Sequence, residues 1–134
     1  MGLDQYAYRI KAALVGDQQV DIKGGGDMGL SSSEDFDRDF AYWRKFNQLH
    51  AWMEDLYRRK GGAQESFNCA TVRLELEDLD RLRRDAPTLT PNPGVFFGAY
   101  DPMTYEEVDE VRAFCLRART AIECGSAVIY DSWW

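Results

Sequence analysis

Apolar residues in this chain recur at two different spacings, and the repeated change between them restricts the fold to a sheet packed against helices. Between residues 3 and 14, large side chains such as Tyr6, Tyr8 and Ile10 occupy every second position, which is typical of a half-buried strand. Between residues 31 and 60, and again after Thr104, apolar residues recur every three or four positions, which is typical of amphipathic helices. A chain that mixes the two periods is predicted to be α+β.

The order of these segments predicts the architecture. The predicted elements are a strand at 3–14, a helix over 31–60, a strand at 68–74, a short helix that starts at Leu76 and ends before Pro87, a strand at 94–98, a helix from Thr104 to Gly125 and a strand at 127–134. They indicate a mixed four-stranded sheet, with one long and one or two shorter helices packed mainly on one face; the strand order stays open. A length of 134 residues favours a single domain over 1–134, because two domains would each bury too little surface.

The predicted helix over 31–60 carries the most informative local pattern. Its core-facing stripe consists of Tyr42, Phe46, Leu49, Met53 and Leu56. A neighbouring stripe starts with Phe36, Phe40 and Trp43, becomes polar at Asn47, His50 and Glu54, and ends on Tyr57. Polar side chains in the middle of an apolar stripe mark a candidate site.

The composition excludes several classes of function. Acidic residues outnumber basic ones by 23 to 16, giving a net charge of −7, whereas nucleic-acid binding needs clustered Lys and Arg, so no direct DNA or RNA binding is predicted. Three widely spaced cysteines and one histidine predict buried reduced thiols, no metal site and no cofactor. The chain shows neither a secretory signal nor a run of ~20 apolar residues, which predicts a cytoplasmic protein without membrane association.

Several short motifs are spread in order along nearly the whole chain. They are Met1-Gly2-Leu3-Asp4-Gln5-Tyr6-Ala7-Tyr8, Tyr42-Trp43-Arg44-Lys45 with Asn47, His50 and Trp52, Asn68-Cys69, Pro91 with Gly94-Val95-Phe96-Phe97-Gly98, the region of Tyr105, and Tyr130-Asp131-Ser132-Trp133. Together they resemble an uncharacterised family of small proteins carried by bacteriophages, prophages and their hosts.

The resemblance brings no established activity, and it is the small size, acidity and abundant aromatic residues of the chain, taken with it, that lead to an expected function. A phage or mobile-element accessory protein is expected to act in the host cytoplasm by binding and modulating a host protein, and inhibition of a host defence system, as by an anti-CRISPR protein, is the sharpest form of this expectation. Two positions depart from the family pattern. Gln5 stands where methionine is expected, and Glu75 replaces a serine cap, which is predicted to weaken the start of the short helix by ~1 kcal/mol.

Asn47, His50 and Glu54 lie three and four residues apart and line one strip of a helix. The functional interpretation is a general base, His50, oriented by Glu54 with Asn47 as a hydrogen-bond donor, in the pocket of a small enzyme or small-molecule binder. The structural interpretation is a packed polar seam in which His50 bonds to a backbone carbonyl. Arg44, one turn earlier, is suited either to an anionic ligand or to pairing with a nearby exposed acid.

The two ends of the chain carry further candidates. Asp4 lies near the start, and Asp131 lies beside Ser132 near the end. If the terminal strands are neighbours, these residues approach His50, and a Ser132–His50–Asp4 triad can be written, although Ser132 lacks the context of a nucleophile elbow.

Two kinds of partner-binding surface are consistent with the sequence. Trp133 and Trp134 point to opposite sides of a strand, so one indole is either an exposed anchor for a partner or packed across a sheet edge. Alternatively, acidic strips present phosphate-like charge to a basic channel. The strips are Glu75, Glu77, Asp78 and Asp80, and Asp101, Glu106, Glu107, Asp109 and Glu110. Binding through the strips weakens at raised salt, whereas binding through aromatic side chains does not.

Overall fold

The computed structural model describes residues 2–22, 35–90 and 102–134, which form one four-stranded sheet and three α-helices. In chain order these are β1 (Asp4–Lys11), β2 (Phe36–Arg44), α1 (Asn47–Arg59), β3 (Thr71–Leu74), α2 (Leu76–Asp85), α3 (Tyr105–Glu123) and β4 (Ser126–Trp133). The α+β class and the four-stranded sheet are confirmed. The predicted strand at 94–98 and the serine cap at 31–33 lie outside the described residues.

The two ends of the chain form the centre of the sheet, whose strand order is β2-β1-β4-β3. β1 and β4 pair over their whole length, from Asp4 opposite Trp133 to Lys11 opposite Ser126. All three strand pairs are antiparallel, whereas a mixed sheet was predicted. The difference arises because the fourth described strand is β2, a segment that the sequence pattern assigned to a helix.

The predicted helix over 31–60 is wrong over residues 36–44, where the structure has β2. Phe36, Phe40 and Trp43 recur at helical spacing, but aromatic residues also favour strands, and pairing with β1 decides between the two. Lys45 then adopts a left-handed conformation with φ of 55°, which a continuous helix excludes, and α1 begins two residues later. Tyr42, which was predicted to face the core, is 52% exposed.

The helices pack on one face of the sheet, as predicted. Val128 and Tyr130 of β4 lie in the main core with buried residues of all three helices, among them Met53, Leu82 and Val111. Because successive strand residues point to opposite faces, one face carries this core while the intervening residues lie on the other.

The second face of the sheet is covered at one end. Ala127 and Ile129 of β4 form a smaller core there with Tyr8, Val15 and Ile22. The cover is the segment over 12–22, which begins with a 3₁₀ turn and bridges to β3. At the other end of this face, side chains of β1, β2 and β4 remain accessible, and we call that region the open face.

The ends of α2 and α3 show which local signals in the sequence were reliable. At α3, Thr104 Oγ1 accepts from the Glu107 backbone N–H at 3.1 Å, and Glu107 Oε1 accepts from Thr104 N–H at 3.0 Å, which confirms the predicted capping box. Gly125, with φ of 98°, ends the helix region as predicted. At α2, the Glu75 N–H donates to Asp78 Oδ2 at 2.8 Å, so the helix start is supported without a serine.

The prediction of buried thiols holds for one cysteine of three. Cys115 is buried on α3, whereas Cys69 and Cys124 are exposed. Cys69 occupies a turn before β3 with φ of 64°, and Cys124 follows the last residue of α3, so both lie in connections at the surface.

Candidate functional site

The sheet divides the eight candidate residues into two groups of four. The side that carries the helices holds Asn47, His50, Glu54 and Trp134, and the open face holds Asp4, Arg44, Asp131 and Trp133. The division follows from strand alternation: Gln5 and Tyr130 point toward the helices, so Asp4 and Asp131 beside them point away. The two groups therefore lie on opposite sides of the sheet.

On the helix side, four residues share a buried chain of hydrogen bonds. Gln5 Oε1 accepts from the Phe46 backbone N–H at 2.8 Å, and Gln5 Nε2 donates to the Phe46 carbonyl oxygen at 3.2 Å and to the Tyr130 hydroxyl at 2.9 Å. The Tyr130 hydroxyl lies 3.0 Å from His50 Nδ1. The Tyr130 oxygen accepts from Gln5, and the hydroxyl is able either to donate to His50 Nδ1 or to accept from it, according to the tautomer of the imidazole.

The surroundings of His50 are those of a packed histidine. The side chain is 3% exposed, and its ring centroid lies 5.0 Å from that of Trp134 and 5.2 Å from that of Phe67. Burial lowers the pKa of His50 from 6.5 to about 4, so the imidazole is neutral at neutral pH. The structural interpretation expected a bond to a backbone carbonyl, and the hydroxyl of Tyr130 is a side-chain partner that it did not include.

Asn47 and Glu54 each contact a residue that is close to them in the sequence. Asn47 is buried and its Nδ2 donates to the Lys45 carbonyl oxygen at 3.4 Å, across the turn that precedes α1. Glu54 lies 3.9 Å from the Arg58 guanidinium, one turn further along α1. These contacts support the start and the surface of α1.

The Ser132–His50–Asp4 triad is not assembled. Ser132 is fully buried on the helix side, directly opposite Gln5. Asp4 lies on the open face, where its Oδ1 accepts from the Tyr42 hydroxyl at 2.6 Å. The sheet itself stands between the Asp4 carboxylate and His50, so Asp4 is unable to orient the imidazole.

The open face presents two cross-strand rows. One row runs Arg44, Asp4 and Trp133, and the next runs Tyr42, Tyr6, Asp131 and Thr71. We call the six residues Asp4, Tyr6, Tyr42, Arg44, Asp131 and Trp133 the open-face patch. Directly opposite side chains in antiparallel strands lie about 4.5–5.5 Å apart, so the patch is one continuous surface.

Contacts within the open-face patch fix its aromatic side chains. The rings of Tyr6 and Tyr42 lie 5.1 Å apart, and the Tyr42 hydroxyl donates to Asp4. This hydrogen bond is the main reason that the pKa of Tyr42 is raised above 10.0. Trp133 is 52% exposed, whereas the neighbouring Trp134 packs against His50, so the exposed indole is that of Trp133. Arg44, also exposed, forms no ion pair within the described part of the chain.

Asp131 is the partly buried acid of the patch. Burial raises its pKa, an effect that the Ser132 backbone N–H and the Arg38 guanidinium oppose. Its Oδ1 is enclosed and accepts no hydrogen bond from any residue in the described ranges. A buried carboxylate oxygen without a donor destabilises the folded protein.

Tyr6 and Tyr42 are the patch residues that the sequence did not indicate as candidates. Tyr42 was assigned to the core stripe of a helix, and Tyr6 to a half-buried strand without a functional role. The alternation within β1 contained part of the signal, since it places Tyr6 on the same face as Asp4. The register with β2, which brings Tyr42 against Tyr6, is not readable from local spacing.

The acidic strip of α2 is largely neutralised by ion pairs within the protein. Asp78 is buried against Lys60 at 2.6 Å, Glu75 lies 2.7 Å from Arg73, and Asp80 pairs with Arg119. Glu77 is the one member of this strip that forms no ion pair with another described residue. Asp101 of the second strip lies outside the described residues. The first strip therefore carries too little unpaired negative charge to resemble a row of phosphates.

None of the four surface pockets that are best formed in the described part of the chain is lined by Asn47, His50 or Glu54. One groove of about 280 Å³ adjoins the open-face patch and is lined by residues of β2 and α3, including Tyr42, Arg44 and Glu110. Within the described ranges, no three His, Cys, Asp or Glu residues cluster as metal ligands would. None of the described helices combines the length and apolar character that crossing a bilayer requires.

Known proteins provide no relative of this chain. No protein-family model, no curated protein and no solved structure matches the chain.

Proposed function

We propose that this protein works by binding another protein, and that the open-face patch is the contact surface. The observation that carries the proposal is the pair of cross-strand rows, which places two tyrosines, one tryptophan and one arginine side by side at the surface. Tyrosine, tryptophan and arginine are the residue types that dominate binding energy in protein interfaces.

The shape of the surface favours a protein over a small molecule. Small-molecule sites are concave and enclose most of the ligand, whereas the patch is the face of a sheet. Tyr42 and Trp133 at its two sides are each 52% exposed, and an interface would bury both. The patch is therefore a broad, open contact surface and not a pocket that encloses a ligand.

The patch is also arranged before binding. The hydrogen bond from Tyr42 to Asp4 and the ring contact with Tyr6 restrict the tyrosine side chain. Side chains that are already ordered lose less conformational entropy on association, so more of the contact energy appears as affinity.

The polar members of the patch define the chemistry of the partner. Arg44 offers a guanidinium without an ion pair in the described part of the chain, and Asp131 offers a partly exposed carboxyl group. A complementary partner surface carries an apolar side chain for Trp133, a carboxylate for Arg44 and a donor for Asp131. Such a surface is found on a protein.

The resemblance to phage and prophage proteins supplies the biological setting of the proposal. We infer a phage or mobile-element accessory protein whose partner is a host protein, with inhibition of a host defence system as the sharpest form. This setting is supported by the motif resemblance and by the small size of the chain, and the patch supports the binding step. Catalysis at His50 is the alternative, in which the same chain is a small enzyme or small-molecule binder.

The test starts with tagged protein incubated in bacterial lysate at physiological salt, followed by mass spectrometry of stoichiometric partners. The dissociation constant of the captured partner is then measured for wild type and for Trp133→Ala, Tyr42→Ala and Arg44→Gln. We expect Trp133→Ala to weaken binding at least about tenfold, the loss typical of a central aromatic contact. Raised salt should weaken binding only to the extent that the charge of Arg44 contributes to the binding free energy.

Leu116→Ala is the matched control, because Leu116 is 57% exposed on α3 and lies outside the patch. It should bind like wild type. A partner whose affinity is unchanged by both Trp133→Ala and Tyr42→Ala would place the interface elsewhere and overturn the proposal. Capture of nothing by folded wild-type protein would shift the weight to the small-molecule alternative at His50.

A further inference from the structure

A groove between α2 and α3 combines positive charge with apolar surface. Two pockets of about 530 and 570 Å³ adjoin one another there, and Arg112 lines both. The first pocket is lined by Asp80, Arg83, Arg84 and Arg112. The second is lined by Pro87, Met103, Thr104, Tyr105, Val108 and Arg112. The groove lies on the helix layer, away from the open-face patch.

Two arginines of this groove differ from most arginines of the helices. Arg58, Arg59, Arg81 and Arg119 each lie within ion-pair distance of a carboxylate, and so does Arg84, 3.9 Å from its chain neighbour Asp85. By contrast, neither Arg83 nor Arg112 forms an ion pair within the described part of the chain. Two guanidinium groups outside any such pair therefore line one pocket of a chain whose net charge is −7.

The helix dipole explains only part of this arrangement. Arg83 and Arg84 lie in the last turn of α2, where positive charge stabilises a helix end. Arg112 lies in the middle of α3, where no such benefit exists, and yet its guanidinium lines the same pocket. The convergence of the three side chains therefore needs a further reason.

The neighbouring pocket supplies the apolar half of the groove. Tyr105 is 92% exposed at the first residue of α3, and Met103 and Val108 lie beside it in the pocket lining. An exposed tyrosine ring next to a row of guanidinium groups suits an apolar side chain with acidic neighbours.

We infer that this groove is a second binding site, and that its occupant is an acidic peptide segment of a partner protein with an apolar anchor residue. The acidic side chains bind Arg83, Arg84 and Arg112, and the anchor lies against Tyr105 and Val108. Guanidinium groups bind carboxylates through paired N–H donors, which gives the site its preference for acidic residues. The inference does not depend on the open-face patch.

The experiment uses ¹⁵N-labelled full-length protein and three synthetic peptides with blocked ends: Glu-Glu-Phe-Leu-Glu, its basic counterpart Lys-Lys-Phe-Leu-Lys, and the anchorless Glu-Glu-Ser-Ser-Glu. Chemical shifts are followed during titration at low and at physiological salt. We expect the first peptide to shift the amides of Arg83, Val108 and Arg112 and to bind more weakly at higher salt. The basic peptide should not bind, and the anchorless peptide should bind more weakly.

Arg83→Gln and Arg112→Gln should each weaken binding of the acidic peptide about threefold, the loss expected for one exposed ion pair. Arg59→Gln is the matched control, because Arg59 is an exposed helix arginine on α1 that pairs with Asp55. Equal binding of all three peptides, unchanged affinity in both groove variants, or the absence of shifts at these amides would overturn the inference. The peptide titration is independent of the test of the open-face patch, so weaker binding of the captured partner by the open-face variants would not change its outcome.

Discussion

The side-chain amide of Gln5 binds both main-chain groups of Phe46, with Oε1 at 2.8 Å from the backbone nitrogen and Nε2 at 3.2 Å from the carbonyl oxygen. Phe46 immediately precedes α1 and has no side-chain cap of its own. Gln5 belongs to β1, so this pair of bonds attaches the start of α1 to the central strand and sets the position at which His50 meets Tyr130.

Replacement of Gln5 by leucine should therefore destabilise the protein by about 2 kcal/mol, because the buried Phe46 N–H loses its acceptor while the side-chain volume changes little. Urea unfolding at pH 7.5 measures the free energy of unfolding. Gln18→Leu is the control, since Gln18 is exposed, and a change below about 0.5 kcal/mol is expected there. Equal effects of the two substitutions would contradict the role given to Gln5.

A second prediction concerns pH. His50 is the only histidine, and its folded pKa of about 4 lies below the unfolded value of 6.5. Between these values the unfolded state binds the proton and the folded state does not. The contribution of neutral His50 to the free energy of unfolding is therefore complete above pH 6.5 and is lost as pH decreases toward 4. The total loss is about 3 kcal/mol, at 1.36 kcal/mol per pH unit of the difference.

His50→Gln retains both a donor and an acceptor that can bind the Tyr130 hydroxyl, and it removes the titration. Urea unfolding at pH 7.5 and pH 4.5 should show a smaller pH-dependent loss in this variant than in wild type, by most of the predicted amount. Carboxylates titrate alike in both proteins, so their contribution cancels in the comparison. Identical pH dependence in the two proteins would show that His50 is not responsible.

Some of the fold follows from signals that lie within about ten residues of sequence. The alternation of Tyr6, Tyr8 and Ile10 predicted β1, and Thr104 with Glu107 predicted the start of α3. These features are local because a strand pattern and a capping box are each decided by neighbouring residues.

The parts that could not be predicted depend on contacts between distant residues. Phe36, Phe40 and Trp43 are compatible with a helix or a strand, and only pairing with β1 selects the strand. The polar strip around His50 was visible in the sequence, but its connection to Gln5 through Tyr130 spans 125 residues. The resemblance implied methionine at position 5, and methionine lacks the amide that binds Phe46. Strand register likewise assembled Tyr6 and Tyr42 into a surface that spacing alone did not reveal.

A third prediction concerns the buried ion pair between Lys60 and Asp78. Lys60 Nζ lies 2.6 Å from Asp78 Oδ2 and also donates to the Arg73 carbonyl oxygen at 2.6 Å. Lys60→Met should destabilise the protein by about 3 kcal/mol, because the buried Asp78 carboxylate loses its nearer cation and retains only Arg81 at 3.9 Å among the described residues. The same substitution in an Asp78→Asn background should cost at least about 1 kcal/mol less, as measured by a double-mutant cycle in urea.

Arg59→Met provides the comparison for that cycle. Arg59 and Asp55 form an exposed ion pair at 2.8 Å on α1, and such pairs contribute about 0–1 kcal/mol. If Lys60→Met proved no more harmful than Arg59→Met, the burial of the Lys60–Asp78 pair would have no energetic consequence, contrary to the prediction.

The last prediction sets stability against binding at Asp131. Burial raises the pKa of this carboxyl, so the ionised form is less stable in the folded protein than in the unfolded chain. The resulting penalty is fully present above the folded pKa and disappears as pH falls toward the unfolded value of 3.8. Asp131→Asn should therefore raise the free energy of unfolding at pH 7.5, and this gain should vanish at pH 3.5.

Asp39→Asn, at an exposed position on β2, should show no comparable gain. The same Asp131→Asn protein should bind its partner more weakly, because an amide oxygen attracts a cationic or N–H donor less strongly than a carboxylate does. A variant that is more stable and binds less well would mean that Asp131 is retained for recognition at the expense of stability. A variant that is less stable at pH 7.5 would instead make Asp131 a structural residue and remove it from the open-face patch as a contact.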